Sequence, residues 1–296
     1  MYRSLNDELR EKFGEKVYKL ALEGGFSCPN RDGKLGTKGC IFCSEKGSGE
    51  HIKYDDIQTQ IKNHLNSYRG ERANKFIAYF QNFTNTYDTI ENLKARYDAA
   101  LCDEKIVCLA IATRPDCIDE DICRLIASYK SKVDVWVELG LQTIHESTAK
   151  FINRGYTLDV FNEAITNLNK IGITIIVHLI LGLPYESEQH ILETINYISK
   201  TNIHGLKLQL LHILKNTPLA NIVDQINILS LDEYTDLIIK CIERLPQKFV
   251  LHRLTGDGKK EDLIAPLWST NKLMVMNTIN HKMKELNTWQ GKYCDY

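Results

Sequence analysis

The 296-residue sequence predicts an α/β fold built on a parallel sheet, and three observations carry that expectation. Six short runs of continuous apolar or β-branched residues recur along the chain, as strands buried on both faces require. The segments between them carry one apolar stripe at spacings of three and four, as helices packed on a sheet require. From the second run onward the starts recur roughly every 30 residues, the length of one βα unit. Such alternation implies right-handed crossovers in a sheet that is either open or curled into a partial barrel.

The first strand is expected at 16–22, where Val17, Tyr18, Leu20 and Leu22 fall in one run. A helical stripe follows at Ile57, Ile61, Leu65 and Tyr68, then a second strand at 76–80. Ile90, Leu93, Tyr97 and Leu101 form the next stripe and lead to a strand at 106–112. Ile122, Leu125, Ile126 and Tyr129 precede a strand at 133–139. Phe161, Ile165, Leu168 and Ile171 precede a fifth at 173–181. Ile191, Ile195 and Ile198 precede the sixth, at 205–211. The repeat then stops. Helices are expected at 232–245 and 272–286, with a short apolar run Phe249-Val250-Leu251 between them. The chain is read as six units over 1–214 followed by an α-rich extension, 215–296, that packs on them. No low-complexity linker divides it.

Composition bounds the function. Hydrophobic residues make up 43% and charged residues 25%, as in ordinary globular proteins. Residues 1–75 carry 14 Lys/Arg against 11 Asp/Glu, and residues 239–296 carry 10 against 6, so both ends are mildly basic and the middle is acidic. Basic ends suit a polyanion and suit a plain solvated surface equally. The start has no apolar signal region, and the longest apolar run, 171–184, is too short for a bilayer and is interrupted by Thr174 and His178. A cytoplasmic protein with no membrane partner is expected. Nine cysteines, an odd number without a secretory signal, argue against a disulfide framework and toward metal or redox chemistry.

Three cysteines stand apart from the rest. The first unit is longer than the others because it holds a Gly- and Cys-rich loop, 24–49, with Cys28, Cys40 and Cys43 in the pattern C-x11-C-x2-C. The loop follows a strand, where parallel α/β folds place ligand sites. Thiolates select zinc or iron–sulfur. Three thiolates that leave one iron open fit an iron–sulfur cubane. Structural zinc wants a fourth ligand, for which His51 lies eight residues past Cys43. The third reading, incidental core cysteines, conflicts with the loop's polar, glycine-rich composition. Cys102, Cys108, Cys117, Cys123 and Cys241 lack ligand spacing and read as small buried hydrophobes.

Further motifs sit at the strand ends. Ala112-Thr113-Arg114-Pro115-Asp116 follows the third strand, and Glu138-Leu139-Gly140-Leu141-Gln142 ends the fourth. Asn153-Arg154-Gly155-Tyr156 opens the next helix, and Leu181-Gly182-Leu183-Pro184-Tyr185-Glu186 ends the fifth strand. The tail holds Leu251-His252-Arg253-Leu254-Thr255-Gly256-Asp257, Ala265-Pro266-Leu267-Trp268 and Asn271-Lys272. With the three-Cys loop, these resemble the radical S-adenosylmethionine superfamily, in particular short bacterial enzymes related to the catalytic subunit of Elongator. The long first Cys spacing points to that branch.

The resemblance implies a partial (β/α)6 TIM-like barrel, a [4Fe–4S] cluster on Cys28, Cys40 and Cys43, and bound S-adenosylmethionine, from which a 5′-deoxyadenosyl radical is made. It further implies that Phe42 packs near the adenine and that Leu183 offers it backbone contacts. Glu138, Gln142 and Thr113 fall to the ribose, and Arg154 to the methionine carboxylate. Relatives bind the methionine amine with Gly-Gly-Glu after the second strand; here Gln81, then Asn82, stands in that place. An electron donor such as flavodoxin or ferredoxin is implied.

For the reaction itself, Lys207 and His212 lie in or just after the sixth strand, with Lys215 nearby, and His252, Arg253 and Asp257 form a polar group after an apolar run. The Elongator-like resemblance implies tRNA as substrate, with the carboxymethylaminomethyl group on C5 of the wobble uridine converted to aminomethyl. A radical enzyme acting on a small metabolite or peptide, and a non-catalytic zinc or cluster module, are the alternatives.

Overall fold

The computed structural model describes residues 1–47, 55–67, 70–256 and 258–294, so His51 and Asp257 lie outside the described residues. The chain begins with helix α1 (Leu5–Phe13) and strand β1 (Val17–Leu22). Then come α2 (Ile57–Leu65), β2 (Lys75–Phe80), α3 (Ile90–Ala100), β3 (Ile106–Thr113) and α4 (Glu120–Ser128). β4 (Asp134–Gln142), α5 (Glu146–Phe151), α6 (Leu158–Lys170), β5 (Thr174–Leu181) and α7 (Glu188–Ser199) follow. The remainder is β6 (Gly205–Leu210), β7 (Ile213–Leu214), α8 (Leu231–Glu243), β8 (Val250–Arg253), β9 (Leu263–Ala265) and α9 (Lys272–Glu285).

Helix starts follow from single residues. Asp56, Thr89, Asp119, Ser187 and Ser230 each accept a backbone N–H two or three residues into the helix they open. The strands β1-β2-β3-β4-β5-β6-β8 form one sheet in that order, and every pairing is parallel. The sheet is thus a half-barrel of seven strands where six were expected. The seventh, β8, comes from the Phe249-Val250-Leu251 run, so the region read as an extension also completes the sheet. Its far edge is covered by the N-terminal segment, where Leu251 N–H donates to the Arg3 carbonyl at 2.8 Å. β7 and β9 make a separate antiparallel ribbon.

Strand alternation sorts the two faces. Outward residues such as Phe80, Leu109, Val137, Val177 and Leu208 pack under the helices in the main core. Each such side chain, fully buried, contributes about 1.5–3 kcal/mol. Inward, Val17, Ile77, Cys108, Trp136 and Ile176 form an apolar floor closed from below by Leu9 of α1. Two residues past Val17, Trp136, Ile176 and Gly205, on β1, β4, β5 and β6, the same inner face carries Lys19, Glu138, His178 and Lys207. The inner face therefore runs from an apolar floor to an ionic layer and then to the open mouth at the C-terminal strand ends. Among the described residues, no helix is long and apolar enough to cross a membrane.

Candidate active site

The cysteine loop is held by its own backbone and by a clamp from the segment before α6. Arg31 N–H donates to the Cys28 carbonyl at 2.8 Å, Gly39 N–H to the Asn30 carbonyl at 2.7 Å, and Cys43 N–H to the Cys40 carbonyl at 3.0 Å. Gly39 has φ +70, and a Cβ there would lie 2.8 Å from Arg31 Nε, so the turn requires glycine. Asn153 donates from Nδ2 to the Gly39 carbonyl at 2.7 Å, and its own carbonyl accepts from Asn30 Nδ2 at 2.6 Å. Ile41 N–H donates to the Ile152 carbonyl at 3.1 Å. Burial pushes the Cys40 thiol up to about 12, with Cys43 and Cys28 alongside acting in the same direction.

Cys28, Cys40 and Cys43 line one cavity of about 140 Å3 at the mouth. Phe42, Gln81, Thr113, Glu138 and Gln142 share that lining, so five of the eight residues expected around S-adenosylmethionine come together with the three thiols. Among the described residues no three His, Cys, Asp or Glu side chains converge as one metal ion would need.

Three expected residues are placed elsewhere. Arg154 is only 1% exposed. Its Nε donates to the Tyr156 carbonyl at 2.9 Å, and one terminal nitrogen donates to the Leu141 and Thr143 carbonyls at 3.1 and 2.7 Å. The other meets Glu146 at 3.2 Å. The guanidinium is engaged in fixing the end of β4, which leaves the cavity wall to Arg31 and Arg114. Arg114 is itself held by both oxygens of Asp116, at 2.9 and 2.8 Å, and lies 4.8 Å from the Tyr156 ring. Asn82 is buried beside the cavity with its amide donating to the Glu23 carboxylate. Leu183 packs in an apolar cluster with Ile152, Leu211, Ile213 and Leu219.

Glu138 is fully buried and already partnered. Lys19 Nζ donates to Oε1 at 3.0 Å, while His178 Nε2–H, at 2.8 Å, and Lys207 both reach Oε2. Burial alone would raise the carboxyl; Lys19, Lys207 and His178 outweigh it and hold Glu138 well below the usual carboxylate range. Burial, then Lys207, pushes His178 down to about 4, so its ring is neutral. Lys207 also donates to the Tyr79 hydroxyl at 2.9 Å. The carboxylate that was expected to meet a ribose is thus also the centre of the ionic layer beneath the cavity.

A second cavity of about 200 Å3 adjoins the first and shares Phe42, Cys43, Gly47, Gln142 and His178 with it. Of the four residues singled out for the reaction, His212 and Arg253 line this cavity. Lys207 lies below in the ionic layer, 3% exposed, and His252 sits edge-on to Trp136 at 5.4 Å. His212 is a latch: Nδ1 accepts from Gly258 N–H at 2.9 Å, and Nε2 lies 3.0 Å from the Ser269 hydroxyl. It fastens the segment after β8 over the mouth. Lys215 is exposed, donating to the Glu261 carbonyl at 2.7 Å.

Lys19, His178, Asn30, Arg114 and Tyr156 are the site residues that the sequence reading missed. Two had a visible signal, since Lys19 and His178 are polar interruptions inside otherwise apolar strands. Asn30, Arg114 and Tyr156 also act through contacts 14 to 123 residues away in sequence, which no local pattern carries.

Comparison with known proteins agrees with this layout. Residues 32–198 match the radical SAM superfamily, and residues 203–285 match the radical SAM C-terminal domain. YtqA of Bacillus subtilis is 41% identical over 99% of this chain and 92% of its own length. YhcC of Escherichia coli is 34% identical over 94% and 91%. The structure of archaeal Methanocaldococcus infernus Elp3 superposes with a TM-score of 0.70 at 16% identity, over 93% of this chain and 64% of that one, a likeness of fold. A stretch covering 28% of this chain is 32% identical to 15% of a tRNA uridine(34) acetyltransferase of Methanocaldococcus jannaschii. With one match spanning more than half its length and a close relative along nearly all of it, the chain belongs to the radical SAM superfamily.

Proposed function

We propose that this radical SAM enzyme modifies the C5 side chain of the wobble uridine of tRNA, converting carboxymethylaminomethyl to aminomethyl. The superfamily's cofactors are a [4Fe–4S] cluster and S-adenosylmethionine. Cys28, Cys40 and Cys43 would hold the cluster, and Phe42, Gln81, Thr113, Glu138 and Gln142 would surround S-adenosylmethionine. Bound together, they supply a carbon-centred radical that removes a hydrogen atom from the substrate.

The chain's own residues prepare the place. Asn153 and Asn30 fix the loop against the segment before α6, so that the thiols do not drift. Lys19 and Lys207 keep Glu138 ionised, which sets the His178 ring in one orientation at the wall common to both cavities. Arg253 brings a cation to the second cavity, where a substrate carboxylate would sit.

The observation that carries the proposal is the pair of adjoining cavities at the mouth of the half-barrel, one lined by all three thiols and the other by Gln209, His212 and Arg253. A nucleotide splayed from an RNA loop can enter such a mouth while its phosphates stay on the rim. Similarity to a tRNA uridine(34) enzyme over part of the chain supports the same substrate. A donor of the flavodoxin or ferredoxin kind would supply the electron. The test is mass spectrometry of tRNA nucleosides from cells with and without the protein. Loss of the protein should leave carboxymethylaminomethyl-uridine unprocessed and remove aminomethyl-uridine and its derivatives; identical wobble nucleosides would sink the proposal.

A further inference from the structure

The second cavity differs chemically from the ionic layer beneath it. In that layer the charged groups satisfy one another through Glu138. Above it, on β6 and two residues past Lys207, Gln209 points the same way and lines the second cavity. Its primary amide makes no hydrogen bond to any described residue. Leu208 and Leu210, its neighbours on the strand, are buried. Ile180 of β5, its register partner, forms apolar wall beside it, as do Leu211 and Phe42. A half-buried amide in such a setting loses water contacts and gains nothing in return from the protein.

We propose that the second cavity is the substrate chamber and that Gln209 is its specificity-determining residue, reading the hydrogen-bonding edge of a pyrimidine base that lies between the apolar walls. This rests on the wobble-uridine reading and deepens it. A primary amide offers one acceptor and one donor pair in a fixed plane. The uracil edge offers N3–H as donor and a carbonyl oxygen as acceptor, so the two pair side by side. Amide side chains read bases in this bidentate way elsewhere. Apolar walls suit the flat faces of the ring, and the neutral amide suits its uncharged edge. The ring would then stand beside the wall made by Phe42, Gln142 and His178, which separates it from the thiol cavity. The C5 substituent, on the carbon next to the carbonyl that Gln209 reads, is the part of the base the chamber must leave free.

The test is equilibrium binding of an anticodon stem-loop to the cluster-loaded protein. The stem-loop carries either uridine or an abasic site at the wobble position, and wild type is compared with Gln209→Ala and the near-isosteric Gln209→Glu. Wild type should favour uridine over the abasic RNA by about tenfold or more, the discrimination typical of a bidentate pair. Both variants should bind the abasic RNA as wild type does and lose most of that preference. Matched abasic binding shows that a variant is folded. If Gln209→Ala fails that control, Gln209→Glu decides, since it keeps the size and replaces the donor with a second acceptor. A preference retained in the variants overturns the role of Gln209 and leaves the tRNA reading standing. A wild type that binds the stem-loop without regard to the base overturns the chamber. A wild type that does not bind RNA at all removes the tRNA reading, and this inference with it.

Discussion

Glu138 is at once the centre of the ionic layer and part of the wall of the thiol-lined cavity. The sequence marks it as an acid after an apolar strand segment, costly to bury without a partner. It does not show that the partners are Lys19, 119 residues earlier, with His178 on the adjacent strand β5 and Lys207 on β6 beyond it. Parallel pairing brings these groups to one level, and no linear pattern records that. Arg154 is the converse case: a forked cation near the mouth is a fair choice for a carboxylate, but three backbone carbonyls claim it first.

The ionic layer also sets an acid limit. His178 is held down to about 4 in the folded state, below its unfolded value of about 6.5. Its contribution is present above about 6.5 and is lost as pH falls toward 4, because the unfolded chain binds the proton first. Thermal melts across that range should show wild type losing on the order of 2–3 kcal/mol more than His178→Gln. His252, also held below the usual histidine value, by burial and then by Lys19, leaves a residual slope in the variant. Parallel melting curves for the two proteins would remove His178 from the account.

At the scale of elements, the cysteine loop depends on the segment that precedes α6. The sequence flags Asn153-Arg154-Gly155-Tyr156 as a motif, but its visible chemistry, an arginine, points to a ligand. The structure makes it a clamp: Asn153 grips Gly39 and Asn30, Arg154 grips the end of β4, and Tyr156 donates to the Gln142 amide oxygen at 3.2 Å. Gly155, at φ +83, lies where a Cβ would stand 3.3 Å from both Arg114 and Asn30. Asn153→Ala should cost about 1 kcal/mol of global stability for its lost side-chain bond to the Gly39 carbonyl. Its larger effect should be on the loop: after anaerobic reconstitution the variant should retain less iron and sulfide per chain than wild type and lose them faster to a chelator. Equal retention would mean that the loop holds its shape without the clamp.

At the scale of the molecule, the six repeating units were legible because each obeys one period, apolar strand then striped helix. The seventh strand was not, because β8 is four residues long and joins β6 across the intervening β7 and α8. Only the parallel pairing of Gly205 with Val250 reveals that the tail completes the sheet. The consequence is functional: β8 carries Arg253 into the second cavity, and His212 latches the segment after it across the mouth. One end of the half-barrel is closed by Leu9 of α1, and the other carries the strand ends and the cysteine loop.

The central claim is that Cys28, Cys40 and Cys43 hold a cluster that cleaves S-adenosylmethionine. It is tested most directly by anaerobic reconstitution of wild type and Cys40→Ala with iron and sulfide, followed by reductant and S-adenosylmethionine. Wild type should be brown, hold about four irons per chain and release 5′-deoxyadenosine; Cys40→Ala should hold little iron and release none. A colourless wild type with one tightly bound zinc and no 5′-deoxyadenosine, or a Cys40→Ala variant that matches wild type, would contradict it.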